Sequence, residues 1–114
     1  MQSNPESITR IPQSAFHGCA IRELRLPAGL THIGQNAFAW CHRLESVVLP
    51  DSVTAIGERS FEQCWYMTSM VIPESVTEIG ANAFDGCDNL ILSGKKGSFA
   101  QRYARENSIP FIAE

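Results

Sequence analysis

Four cysteines are the most reactive side chains of this sequence, because thiols can bind metals or form disulfides. Tetrahedral zinc needs four ligands that converge at about 2.3 Å, usually from paired C-x-x-C spacings, and those pairs are absent. A separation of 22, 23 and 23 residues predicts a line of sulfurs instead. Neighbours in that line would fall within the Cα range of a disulfide, but their side chains would project in parallel. We therefore expect free thiols that act as small buried hydrophobic groups, rather than disulfides or a zinc site. The residues concerned are Cys19, Cys41, Cys64 and Cys87.

Other potentially reactive residues form no recognisable catalytic set. His17, His32 and His42 fall in three different columns of the repeat described below, so we expect solvated surface histidines. Lys95 and Lys96 precede a predicted helix and could attract an anion, although lysines on a surface turn are usually only solvated. G-x-S-x-G elements and phosphate-binding glycine loops are missing from the sequence. The sequence therefore predicts a protein that is not an enzyme and that needs no cofactor or metal.

An internal repeat must position these residues. Four copies of one segment are present, namely ESITRIPQSAFHGC, AGLTHIGQNAFAWC, DSVTAIGERSFEQC and ESVTEIGANAFDGC. A period of this length is the signature of a solenoid. We expect one domain over residues 1–114, with repeats at about 6–20, 21–43, 44–66 and 67–89 and a C-terminal cap at 90–114.

The apolar residues before each proline predict the first element of a repeat. Leu44, Val47 and Leu49 precede Pro50 with polar residues between them, which suits a short strand with one buried face. One repeat cannot cover its own apolar face, so the strands should stack as a parallel sheet. Proline has no backbone N–H group to donate to a neighbouring strand, so it should mark the residue at which strand pairing ends.

The residues after the proline predict a second extended piece and a connector. Val53 and Ile56 precede Gly57, where we expect a sharp bend at positive φ. The segment from this glycine to the cysteine suits a one-turn helical or 3₁₀ connector, with Phe61 in the core.

The two ends of the repeat array differ. Ser98 and Gln101 form a capping box, which predicts a helix whose apolar face covers the last repeat, followed by an edge strand at residues 109–112. At the other end, the core residues Ile8, Ile11 and Phe16 should meet solvent on one side. Three explanations stay open: upstream sequence, pairing with another molecule, or a frayed first unit.

The repeated pattern L-x-x-V-x-L-P-x-S-V-T-x-I-G-x-x-A-F-x-x-C resembles the BspA-like leucine-rich repeats of bacterial surface proteins. The closing segment is similar to the C-terminal cap of that family. The resemblance implies an α/β solenoid, a right-handed leucine-rich-repeat superhelix with a parallel sheet on its concave face. It also implies a place on bacterial cell surfaces and binding to host or matrix proteins.

Charge and hydropathy restrict the classes of molecule that this protein could bind. A net charge of −3 and a pI near 5.6 argue against binding to nucleic acid or to an anionic membrane surface. No apolar run reaches the roughly 20 residues of a bilayer span, and the polar start does not resemble a secretory signal. We expect either a cytoplasmic protein or a piece of something longer.

Two surfaces are candidates for partner binding. Val48 and Val71 should lie side by side on the open face of the sheet with Arg25 nearby, a small apolar stripe with a charged rim. The alternative is that these valines are only good strand formers. The second candidate patch is Trp40, Trp65 and Tyr66, which either fill a groove between coils or contact a partner. The candidate concave-face residues are Arg22, Glu23, Arg25, Glu45, Ser46, Val48, Thr68, Ser69 and Val71.

We therefore predict a protein-protein interaction module from a bacterial cell-surface or secreted adhesin-like protein, with a protein partner. The alternative is a structural solenoid that self-associates as a homo-oligomer through its N-terminal edge.

Overall fold

Two parallel sheets run along the molecule, and each repeat between residues 21 and 89 contributes one strand to each of them. A computed structural model describes residues 8–114. One sheet has four strands in the order β1-β3-β5-β7, and the other has five in the order β2-β4-β6-β8-β9. Two residues of the first predicted repeat, Glu6 and Ser7, lie outside the described residues. The elements are β1 (Arg10–Ile11), β2 (Glu23–Arg25), β3 (His32–Ile33), β4 (Ser46–Val48), β5 (Ala55–Ile56), β6 (Ser69–Val71), β7 (Glu78–Ile79), β8 (Ile91–Gly94), α1 (Phe99–Glu106) and β9 (Phe111–Ala113).

Strand register confirms that equivalent residues of successive repeats lie side by side. Leu24 pairs with Val47, and Ser46 pairs with Ser69. Two steps are 22 residues long rather than 23, because Arg10 pairs with His32 and Met70 pairs with Leu92. In β4, β6 and β8 the side chains of Val47, Met70 and Leu92 are buried in the core, while the residues before and after each of them are less buried. The predicted parallel solenoid is therefore correct.

Phenylalanine rings form a continuous stack through the core. Phe16, Phe38, Phe61 and Phe84 are the equivalent residues of the four repeats, and their ring centroids are separated by 5.3, 5.3 and 5.6 Å with nearly parallel planes. Tyr103 of α1 meets the last ring edge-on at 6.2 Å. The helix thus covers the end of the stack, as the cap prediction requires.

The connectors between glycine and cysteine are not helical, which corrects the prediction. In the described part of the chain they are runs of turns in which alternate N–H groups bond to the next coil, as Phe38 N–H does to Ser60 O at 2.7 Å. The intervening N–H groups close turns three residues back, as in the 3.2 Å bond from Ala37 to Gly34. A helix would direct all its N–H groups along its own axis and leave the coils unconnected on this side.

The recurring glycine of the repeat also has a different cause from the one predicted. Gly34, Gly57 and Gly80 are not among the positive-φ residues. Instead, a Cβ atom on Gly57 would lie 2.6 Å from the carbonyl oxygen of Ile33 in the preceding coil. Glycine is required there because two backbones approach closely. Positive φ occurs further along each connector, for example at Asn36 and Asn82.

The C-terminal cap follows the predicted helix and strand. Ser98 accepts a hydrogen bond from Gln101 N–H at 3.3 Å, and the Gln101 side chain accepts one from Gly97 N–H at 2.7 Å. Asn107 ends the helix, and Ala100 and Ala104 are its buried residues. The strand that follows is β9, which begins two residues later than predicted and pairs parallel with β8.

The first described coil is only partly open to solvent. Ile8 and Phe16 are exposed, at 41% and 39%, as predicted. Ile11 is only 8% exposed, because it packs into the common core, so the predicted contact with solvent on one side is wrong for this residue.

Candidate functional site

The outer face of the five-stranded sheet brings most of the predicted surface residues together. Arg25 pairs with Val48, and Val71 follows in the same row because Ser46 pairs with Ser69 two residues earlier. Val48 and Val71 are 44% and 51% exposed. Successive strands lie about 4.8 Å apart, so the two valines form one apolar strip. Ile112 on β9 lies in the same row and is also exposed.

Charged residues lie at the β2 end of this strip, and they form no ion pair within residues 8–114. Arg22, Glu23, Arg25 and Glu45 are all exposed. Within residues 8–114, the ion pairs at 4 Å or less are those of Arg59 with neighbouring glutamates, outside the sheet. The charges beside the strip are therefore free to contact a partner. Polar residues precede the valines on β4 and β6. Ser46 is half-buried, whereas Thr68 and Ser69 are exposed.

Tyr66 belongs to this face rather than to the tryptophans. It lines a cleft of about 230 Å³ together with Arg22, Arg43 and Glu45. Two of these residues are members of the predicted concave-face set. Because the phenol is well exposed, it extends the face toward the end where the chain enters the strands.

Trp40 and Trp65 do meet, and a histidine joins them. Their ring centroids lie 6.2 Å apart in an edge-on arrangement. His42 stacks on Trp65 at 4.0 Å and meets Trp40 at 5.6 Å. His42 is half-buried, which corrects the expectation of a solvated surface histidine. His42 and Trp65 occupy the same repeat column, so column stacking could have predicted their contact.

Trp40 of this aromatic cluster and the neighbouring Gln63 adopt a backbone conformation that normally favours glycine. Trp40 and Gln63 have φ values of 63° and 61°, at the column where the other two copies carry Gly18 and Gly86. A left-handed conformation costs a non-glycine residue roughly 1–2 kcal/mol. Gln63 accepts a hydrogen bond of 2.6 Å from the Trp65 indole N–H. Sequence reasoning missed Gln63, although its departure from glycine in this column was a usable signal.

The cysteine line has the predicted placement in one file along the core. All four cysteines are free thiols. Cys41, Cys64 and Cys87 donate to the carbonyl oxygens of Phe16, Phe38 and Phe61 at 3.1 to 3.2 Å. Burial, together with the hydrogen bond between the Cys41 and Cys19 thiols, raises the pKa of Cys41 to about 12. A hydrogen bond with Cys87 and burial raise the pKa of Cys64.

Residues 8–114 contain no group of three or more His, Cys, Asp and Glu side chains arranged to hold a metal ion. Over the same residues, no helix has the length and apolar character needed to cross a membrane. Lys95 and Lys96 lie exposed on the turn before α1.

Comparisons with known proteins agree with this architecture. The family model described as BspA type Leucine rich repeat region (6 copies) matches residues 3–93. A leucine-rich repeat protein from Bacteroides ovatus is similar in structure, with a TM-score of 0.80 and 36% identity over 93% of this chain and 28% of its own. A leucine rich cell surface protein from Faecalibacterium prausnitzii gives a TM-score of 0.73 and 40% identity over 79% of this chain and 24% of its own.

A leucine-rich repeat protein of T. pallidum is more distant, with a TM-score of 0.56 and 28% identity over 74% of this chain and 51% of its own. The chain thus spans about a quarter of the length of the first two structures. No curated protein matches the chain.

Proposed function

Because this chain belongs to the BspA-type leucine-rich repeat family, we propose that it is a non-enzymatic module that binds a protein partner through its five-stranded sheet. The module would be part of a bacterial cell-surface or secreted protein with an adhesive role. The description of the Faecalibacterium prausnitzii structure as a cell surface protein supports that location. Residues 1–114 would act as one binding domain.

The observation that carries this proposal is the exposed strip of Val48 and Val71 beside exposed charges that form no ion pair within residues 8–114. Burying such a strip against a partner removes apolar surface from water, while the arginines and glutamates beside it set orientation and specificity. Tyr66 and Arg22 add the residue types that most often dominate binding energy. An apolar strip along neighbouring exposed strands suits a protein better than a small molecule, which needs a concave and mostly enclosed pocket.

The test uses a panel of purified mammalian extracellular-matrix proteins, immobilised for biolayer interferometry. The wild-type chain is compared with a double variant Val48→Glu and Val71→Glu, and with a control, Gln35→Glu and Ala81→Glu, at exposed connector positions outside the sheet. We expect at least one matrix protein to bind, with binding reduced more than about tenfold by the sheet variant and unchanged by the control. Binding that survives the sheet variant, or no binding to any member of the panel, would contradict the proposal.

Self-association through the N-terminal edge is the second candidate function. Its support is the exposure of Ile8 and Phe16 on the first described coil. Ile8→Glu is the suitable probe, since a charge at the buried Ile11 would damage the core itself. Light scattering should show a dimer that becomes a monomer in Ile8→Glu and persists in the control Thr54→Glu. A monomer before and after the change would exclude this function.

A further inference from the structure

The cysteine file contains one pair that differs from the rest. The Sγ atoms of Cys19 and Cys41 lie 2.9 Å apart, across the first and second described coils. Cys19 is half-buried, whereas Cys41 and Cys64 are fully buried and Cys87 is nearly so. The end position of the first coil is the reason, because no earlier coil within residues 8–114 covers its sulfur. One member of this pair can therefore be reached by a reagent in solution, and its partner is already in contact with it.

We propose that Cys19 and Cys41 form an intramolecular disulfide by exchange with small-molecule disulfides, while Cys64 and Cys87 stay reduced. Equivalent Cα atoms in adjacent coils are separated by about 4.8 Å, within the range of about 4.4–6.8 Å that a disulfide requires. The expectation that all side chains of this column project in parallel fails at this pair, where the two sulfurs turn toward each other.

The reaction with glutathione disulfide balances in two exchange steps. The Cys19 thiolate attacks one sulfur of glutathione disulfide, the disulfide bond breaks, and one glutathione thiolate leaves. Cys41 then attacks the Cys19 sulfur of the mixed disulfide, loses its proton to solvent and releases the second glutathione. The protein gives up two electrons and two protons, and glutathione disulfide is reduced to two glutathione molecules. Cys41 must also release its hydrogen bond to the carbonyl of Phe16.

The disulfide would tie the most exposed coil to the next one. Within residues 8–114 the first coil has a neighbouring coil on one side only, so it opens most easily. A covalent link between the first two coils would restrict that opening. Oxidising compartments favour such a bond. The bond would form whether or not the five-stranded sheet binds a partner.

The test exposes the folded chain to a glutathione and glutathione disulfide buffer and measures the intact mass. We expect a loss of about 2 Da, the mass of the two hydrogens removed. Alkylation after unfolding should then label two thiols, and a peptide map should show the 19–41 link with Cys64 and Cys87 labelled. The melting temperature should rise by more than about 5 °C and fall back on reduction.

The variant Cys19→Ser should show no loss of mass, and its circular dichroism should match that of the wild type. The wild-type peptide map keeps the test decisive even if this variant folds poorly. The proposal is overturned by a stable glutathione adduct on Cys19, by a different link in the map, or by a wild-type mass that does not change.

Discussion

The thiol of Cys64 donates a hydrogen bond of 3.2 Å to the carbonyl oxygen of Phe38, a residue 26 positions earlier in the chain. The bond joins one coil to the coil before it, and the same bond recurs in the neighbouring repeats. Each of these three cysteines therefore fills the core and connects two coils at the same time. Because the bond occurs in three successive repeats, it explains why a thiol is well accommodated at this column of the repeat.

Replacement of Cys64 by alanine should lower the free energy of unfolding by about 2 kcal/mol, because it removes a fully buried sulfur and one hydrogen bond. Urea denaturation of the two proteins measures the difference. Cys64→Ser keeps a donor at this position and should lose less stability than Cys64→Ala if the hydrogen bond matters. Equal losses in the two variants would assign the whole effect to packing.

The phenylalanine stack should be weakest at its exposed end. Phe38 is fully buried between two rings, so Phe38→Ala should cost about 3–5 kcal/mol of unfolding free energy. Phe16 stacks on one ring only and is 39% exposed, so Phe16→Ala should cost less than half as much. Guanidinium unfolding curves give both values. Similar costs at the two sites would mean that the first coil is as well covered as the interior.

Gly57→Ala should destabilise the fold by at least about 2 kcal/mol, since the added Cβ meets the backbone of Ile33 at 2.6 Å. Gly97 is the matched control, because it has a φ of 79° and a Cβ added there would have no neighbouring atom within 4 Å. Gly97→Ala should cost only about 1 kcal/mol, from its backbone conformation. The prediction fails if the order of the two thermal shifts is reversed.

Ser60→Ala should stabilise the protein by about 1 kcal/mol, because the Ser60 hydroxyl is fully buried and has no hydrogen-bond partner among residues 8–114. Ala37 and Ala83 occupy the same column in the neighbouring repeats, so the site accepts alanine without strain. Differential scanning calorimetry should show a higher melting temperature for the variant. A lower one would indicate that the hydroxyl has a partner, such as a buried water.

Stability should fall as the pH rises from about 9 toward 12. The pKa of Cys41 is raised from its ordinary value of 9.0 to about 12 in the folded chain, mainly by burial. Between these values the unfolded chain has lost this proton while the folded chain retains it, so ionisation stabilises the unfolded state. Urea midpoints measured across this range should decline, and the decline should be smaller in Cys41→Ala. A decline of the same size in that variant would exclude Cys41 as its source.

The repeat spacing was sufficient to predict the solenoid, the strand register and the Phe stack, because each depends only on equivalent residues lying side by side. The connectors could not be predicted in the same way. Trp40 and Gln63 adopt positive φ against their residue preference, and the bonds between coils that hold them there are long-range. The role of Gly57 was also misread, since sequence alone does not distinguish positive φ from close backbone approach.

The surface was predicted unevenly. The neighbouring positions of Val48 and Val71 followed from the register, and the structure places both in one exposed strip. The contact of His42 with Trp65 could have been predicted from their shared column of the repeat, although the residue type in that column varies between copies. The turn of Cys19 toward Cys41 depends on side-chain rotamers at the end of the array, which a periodic pattern does not encode.

Methyl NMR can establish whether residues 23 positions apart lie side by side on the exposed face of the five-stranded sheet. With labelled valine methyl groups, we expect a strong nuclear Overhauser effect between Val48 and Val71. The absence of this cross-peak, with Val48 instead close to valines of its own repeat such as Val53, would contradict the strand register and the proposed binding surface together.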